Sequence, residues 1–193
     1  MGGHAASKLD SRKLITATLL GVVIAVIKGP FQWPITDYLI IIEAPILGLS
    51  YLLLGRGGAT YTGFVNGILQ SAVKGPFFPL DLIFGVFYGA LVDLSASALR
   101  VGNGERTSTK RMTAALGLAS TIAGLSIAYA VITLNINLGP ATSGLMFSEL
   151  LNIVYIPIIV WGIFSGALGG YMAARIWDRN LKARFKSVQP PVS

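Results

Sequence analysis

The sequence predicts an all-α fold, a polytopic membrane bundle of about six transmembrane helices, built as three helical hairpins with the N and C termini in the cytoplasm. First, 53% of the 193 residues are hydrophobic and only 12% are charged, whereas an ordinary soluble domain carries about 25% charged residues. Second, the apolar residues fall into blocks separated by short Gly/Pro-rich or basic segments. Third, the basic residues are concentrated in alternate connections.

The apolar blocks define the predicted spans. A helix needs about 20 apolar residues to cross the hydrocarbon core of a bilayer. We therefore expect the short first and third blocks to continue as helix past Lys28 and Lys74, whose long side chains reach the interface. Pro157 predicts a kink or tilt in the last block. The blocks comprise residues 14–27, 38–54, 59–73, 80–99, 112–134 and 150–176, between an N-terminal tail (1–13) and a basic C-terminal tail (177–193).

The distribution of basic residues predicts the orientation. The first, third and fifth connections contain only two basic residues, Lys28 and Lys74. The positive-inside rule therefore places both termini in the cytoplasm of a multi-pass plasma-membrane protein. Anionic lipid headgroups account for the net charge of +7, so nucleic acid is not an expected partner. The remaining basic residues lie on the cytoplasmic side: Lys8, Arg12, Lys13, Arg56, Arg100, Arg106, Lys110, Arg111, Arg175, Arg179, Lys182, Arg184 and Lys186.

An internal repeat marks two of the outward connections. Residues 21–31 read GVVIAVIKGPF and residues 67–77 read GILQSAVKGPF. Each copy is followed by a proline and an acid, which are Asp37 in the first copy and Asp81 in the second. Gly-Pro stops a helix and permits a turn. Whether the repeat is only a turn device or also functional stays open at this point.

Polar residues within the apolar blocks are the candidate site, because such a side chain costs about 2.5 to 3.5 kcal/mol in a membrane helix. One stripe has i, i+4, i+8 spacing and consists of Asn66, Gln70 and Lys74. A second has i, i+3, i+6 spacing and consists of Glu149, Asn152 and Tyr155. Each stripe therefore lies on one helix face. We expect a substrate-binding cavity open to the outside. The alternative is that these groups only pair between helices, with Lys28 and Lys74 neutralising Asp37 and Asp81. The predicted site comprises Lys28, Gln32, Trp33, Asn66, Gln70, Lys74, Asp81, Glu149, Asn152 and Tyr155, while Glu43 and Asp93 are further intramembrane acids, the latter expected near the interface.

The residue types in this pattern favour particular ligand groups. Lys28 and Lys74 suit a carboxylate or phosphate, whereas Asp81 and Glu149 suit an amine or ring nitrogen. Trp33, Phe77 and Tyr155 would stack on a flat ring.

Enzymatic chemistry is not expected. The chain has no cysteine and a single histidine, His4, in the N-terminal tail, so we expect no metal site and no His-based catalytic pair. It contains no Walker loop and no Ser/His/Asp arrangement, so we expect neither catalytic residues nor a cofactor. On the first helix, Ala17, Gly21 and Ala25 form a stripe of small residues that permits close helix approach, either by a partner or within the bundle.

This organisation resembles the substrate-binding S components of energy-coupling factor (ECF) vitamin transporters. The resemblance implies that a vitamin binds between helices and outward loops. It also implies docking through Ala17, Gly21 and Ala25, where Gly replaces the middle residue of an Ala-x-x-x-Ala stripe, to a transmembrane coupling subunit that works with cytoplasmic ATPases. We therefore expect a substrate-binding subunit for uptake of a small water-soluble vitamin or precursor. The alternatives are an accessory subunit of a larger membrane complex and an independent small transporter or channel.

Overall fold

The computed structural model describes residues 11–31, 38–74, 80–101, 107–133 and 147–183, and for 74, 131–132 and 147–155 it describes the backbone alone. These ranges form six α-helices and no strand, which confirms the all-α prediction. A π-helical turn, Trp177–Leu181, continues the last helix into the segment predicted as a tail. The helices are α1 (Ser11–Lys28), α2 (Ile40–Leu54), α3 (Gly58–Lys74), α4 (Leu80–Ala98), α5 (Thr109–Thr133) and α6 (Phe147–Ile176).

Three segments of the described chain are long and apolar enough to span a membrane: Leu80–Ala98, Thr109–Ala130 and Ile156–Leu181. The helices α1 and α3 extend beyond the short apolar blocks to include Lys28 and Lys74. Helix was expected to continue past both lysines, whereas α1 ends at Lys28, and the residues directly after Lys74 lie outside the described ranges.

The helix α2 is the centre of the bundle, since it contacts each of the other five helices. It is apolar on every side apart from Glu43 and Ser50, and most of its side chains, including Ala44 and Leu47, are buried. A helix that is apolar all round is typically buried in this way. Its neighbours therefore fix the position of α2, and with it the position of Glu43.

Glycines bring two helix pairs into close contact. Between α3 and α4, a Cβ added to Gly85 would lie 2.6 Å from the backbone oxygen of Gly63. Between α5 and α6, a Cβ added to Gly162 would lie 2.9 Å from the Cα of Thr121. Small residues let helix backbones approach closely and are typical of helix packing in membranes. These two pairs match two of the predicted hairpins, whereas α1 packs against both α3 and α2.

The stripe predicted as a docking surface lies inside the bundle, which corrects that prediction. Ala17 is 0% exposed and Ala25 is 7% exposed. A Cβ added to Gly21 would lie 2.9 Å from the backbone oxygen of Thr62 on α3, and the Thr62 hydroxyl donates a hydrogen bond to the Ala17 carbonyl at 3.2 Å. The small residues are therefore used to seat α3 against α1 and are not available to a partner.

The outer faces of the bundle are also apolar. On α1, Ile15 and Val26 are exposed, and on α6 Val160 and Phe164 are exposed. Scattered exposed apolar residues are ordinary, but apolar side chains around a whole helix bundle are typical of a surface that faces lipid.

Candidate functional site

The site is centred on the carboxylate of Glu43, in the first turn of α2. Its side chain is buried within the bundle. The chain just before α2 is held by α6, because the Trp161 indole N–H donates to the Tyr38 carbonyl at 3.3 Å and the two rings pack edge to face. The backbone that carries Glu43 is thus positioned by contacts with a neighbouring helix.

Lys28 pairs with Glu43 across the α1/α2 interface. The Lys28 ammonium donates to Glu43 Oε2 at 2.5 Å and forms an ion pair with it. The alternative interpretation of the sequence expected Lys28 to neutralise Asp37, which lies outside the described residues. The pair makes the site neutral overall, which lowers the penalty for placing charges within an apolar bundle.

Two amides of α3 extend the network. Asn66 Nδ2 donates to Glu43 Oε1 at 3.2 Å, and Gln70 Nε2 donates to Asn66 Oδ1 at 2.6 Å. The i, i+4 spacing that the sequence showed is what lets the Gln70 side chain reach Asn66. Asn66 is 1% exposed and Gln70 is 4% exposed, so the chain of hydrogen bonds runs through the interior. We call Lys28, Glu43, Asn66 and Gln70 the polar network.

The polar network lies toward one end of the bundle. Lys28 is the last residue of α1, Glu43 is in the first turn of α2, and Asn66 and Gln70 lie in the second half of α3. Ser71 directly follows Gln70 in α3. It is buried, and its Oγ makes no hydrogen bond to any residue within the described ranges. The arrangement brings an ammonium, a carboxylate and two amides together at one end of the bundle.

The other predicted site residues are only partly placed. Asp81 is in the first turn of α4, and its backbone oxygen would lie 3.0 Å from a Cβ added to Gly67 of α3. Asp81 therefore lies on the helix beside Asn66, at the same end of the bundle. The remaining predicted site residues lie outside the described residues, which holds for Gln32 and Trp33 entirely and for the side chains of Lys74, Glu149, Asn152 and Tyr155.

Asp93, which was expected near the interface, makes contacts between two helices. It is buried at the opposite end of the bundle, and its carboxylate accepts hydrogen bonds from the backbone N–H groups of Ala59 and Thr60 at 3.2 and 2.8 Å. The Thr60 hydroxyl also donates to it. The first N–H groups of a helix have no partner within the helix. Asp93 of α4 thus caps the N-terminus of α3, a contact that fixes the α3/α4 pair.

Glu43 is the member of the polar network that the predicted site omitted. Stripes at helical spacing identify residues that share one helix, whereas Glu43 joins the network from a different helix. The signal that was available was its type and position, since a carboxylate within an apolar block requires a partner. Among the described residues, no group of three His, Asp or Glu side chains is placed to hold a metal ion.

Comparisons of this chain with protein-family models, with curated proteins and with solved structures found no match.

Proposed function

We propose that this chain is a multi-pass plasma-membrane protein in which all six helices cross the bilayer and both termini are cytoplasmic. Support comes from the placement of basic residues at the helix ends. The end of the bundle that carries Lys28 and Lys74 has no other basic residue within the described ranges. The opposite end carries Arg12, Lys13, Arg56, Arg100, Lys110, Arg111, Arg175, Arg179 and Lys182. The positive-inside rule assigns this basic end to the cytoplasm.

Within that orientation the chain is a membrane-embedded subunit that binds a small water-soluble solute, such as a vitamin or precursor, for uptake. The observation that carries this proposal is the polar network, which lies in the outer half of the bundle, where a solute arrives. Charged and amide groups inside membrane helices are unfavourable and mark solute paths in many transport proteins. A solute site needs a few convergent polar groups among apolar side chains, and these four side chains supply the polar groups.

Energy for uptake would come from partner ATPase subunits, as the ECF resemblance implies. The partner surface cannot be the stripe of Ala17, Gly21 and Ala25, which α3 covers. Docking in this proposal uses the exposed, lipid-facing side of the bundle.

A structural role in a larger membrane complex is the second candidate. One observation favours it, namely that the polar network is hydrogen-bonded within itself, as expected for groups that hold helices together. An assay of the uptake of small water-soluble solutes separates the two roles. Cells express the chain with or without the proteins encoded by its genomic neighbours. The matched variants are Asn66→Ala and Ser126→Ala. Ser126 is the control because its hydroxyl bonds only within its own helix, to Ile122. ATP-dependent uptake that Asn66→Ala abolishes supports the solute-binding role, and unchanged uptake contradicts it.

The orientation is tested separately by cysteine labelling. The chain contains no cysteine, so an introduced cysteine is its only thiol. Phe31, after α1, and Lys110, at the start of α5, are both exposed, so each accepts a single cysteine. A membrane-impermeant thiol reagent added to intact cells should label Phe31→Cys and not Lys110→Cys. The reverse pattern would contradict the orientation.

A further inference from the structure

Glu43 is the fixed member of the ion pair. Glu43 is buried, and it lies on the central helix α2. Asn66 holds one carboxylate oxygen at 3.2 Å, and Gln70 holds Asn66 in turn at 2.6 Å. The position of the carboxylate is thus set by groups other than Lys28, and it remains when the ammonium leaves.

Lys28 is the movable member. Its side chain is 13% exposed, against 3% for that of Glu43, and it is the last residue of α1, directly before Gly29 and Pro30. A lysine at a helix end reaches water easily, because its four-carbon stem is flexible and can lie along an apolar surface. The ammonium can therefore move outward while the rest of the polar network stays in place.

The charge balance decides which solute fits. If a solute ammonium replaces that of Lys28 at Glu43, one cation exchanges for another and the buried site stays neutral. An anion that binds Lys28 instead leaves the Glu43 carboxylate buried without its countercharge, which is strongly unfavourable in a low-dielectric interior. The pair thus favours a cationic solute over the anionic one that the lysines suggested in the sequence.

We propose that the polar network binds an organic ammonium ion, whose N–H groups replace the Lys28 ammonium at the carboxylate of Glu43. Lys28 then acts as a tethered competitor that fills the site in the absence of solute. This inference rests on the proposed solute-binding function and adds the chemical class of the solute. A tethered competitor acts at an effective concentration in the millimolar range, so its removal strengthens solute binding.

The test uses n-propylammonium, which contains the atoms that Lys28→Ala removes. Thermal midpoints of the purified full chain are measured against n-propylammonium, with n-propanol as the neutral probe of the same size and acetate as the anionic probe, at constant ionic strength. Lys28→Ala is compared with the wild type, with Glu43→Gln and with Lys110→Ala, which removes an exposed lysine at the opposite end. If Lys28→Ala does not fold, Lys28→Gln replaces it, because its amide can still donate to Glu43.

We expect n-propylammonium to stabilise both the wild type and the Lys28 variant, with half-maximal effect at a concentration at least about tenfold lower in the variant. Lys110→Ala should respond as the wild type does, and Glu43→Gln should not respond. Stabilisation of the variant alone would show that Lys28 cannot be displaced and would overturn the proposal, as would a response to acetate or no response to the ammonium in any variant. None of these three outcomes contradicts the solute-binding function itself if mass spectrometry finds that the chain retains a solute of another chemical class.

Discussion

The ion pair predicts an asymmetric response to the loss of its two members. Lys28→Met leaves the Glu43 carboxylate buried beside α3 without its countercharge, which costs about 3 to 5 kcal/mol of unfolding free energy for a buried pair. Glu43→Leu leaves an ammonium that can move to the interface, so the cost is mainly the lost hydrogen bond from Asn66, about 1 to 2 kcal/mol. The double variant should cost about as much as Glu43→Leu alone, because an apolar replacement of the whole pair is often neutral.

The assay is a double-mutant cycle on the chain in mild detergent, with unfolding free energies from SDS titration followed by circular dichroism. The coupling energy between Lys28 and Glu43 should be about 3 to 5 kcal/mol, because the double variant costs no more than Glu43→Leu alone. Equal costs for the two single variants, together with additivity within about 0.5 kcal/mol, would refute a buried, directly paired site.

Two further predictions concern the helix contacts that support the site. Asp93→Ala removes the cap of α3 and should lower the unfolding free energy by about 2 kcal/mol, whereas Asp178→Ala, at an exposed position, should change it by less than about 0.5 kcal/mol. Equal effects in the same SDS titration would contradict the capping role. Gly85→Leu should separate α3 from α4 and lower the thermal midpoint strongly, since a Cβ there would lie 2.6 Å from the Gly63 oxygen, whereas the nearest atom at Gly117 would lie 3.7 Å away and Gly117→Ala should be tolerated. Comparable midpoints for these two variants would contradict the close α3/α4 contact.

The helix positions were largely predictable because apolar blocks separated by Gly, Pro and basic residues mark helices that lipid or other helices cover. Helix was expected to continue past Lys28, but α1 ends at Lys28, directly before Gly29 and Pro30. The central place of α2 was not predicted. Block lengths fix where helices begin and end, but every block is apolar on most sides, so the sequence carries little information on which helix the others surround.

The same limit explains the outcome for the small-residue stripe on α1. Ala17, Gly21 and Ala25 correctly indicate a close helix contact, but their spacing does not identify the second helix. The resemblance implied a helix of a partner protein, whereas in the structure Thr62 of α3 packs against the stripe.

Part of the candidate site followed from the sequence. The spacing of Asn66 and Gln70 predicts one face, and the structure shows these two amides in direct contact. Glu43 could be identified as a buried acid, but its partners Lys28 and Asn66 could not. They lie 15 and 23 positions away along the chain, and contacts at such separations depend on how the helices pack.

In the proposed function, the polar network binds a small solute. Native mass spectrometry of the chain, extracted from its own membranes in mild detergent, tests it most directly when the wild type and Asn66→Ala are measured side by side, because one spectrum shows both bound small molecules and companion subunits. We predict a retained polar metabolite on the wild type that is lost from folded Asn66→Ala. A wild-type chain that carries no small molecule, or one that Asn66→Ala retains equally well, would contradict the claim.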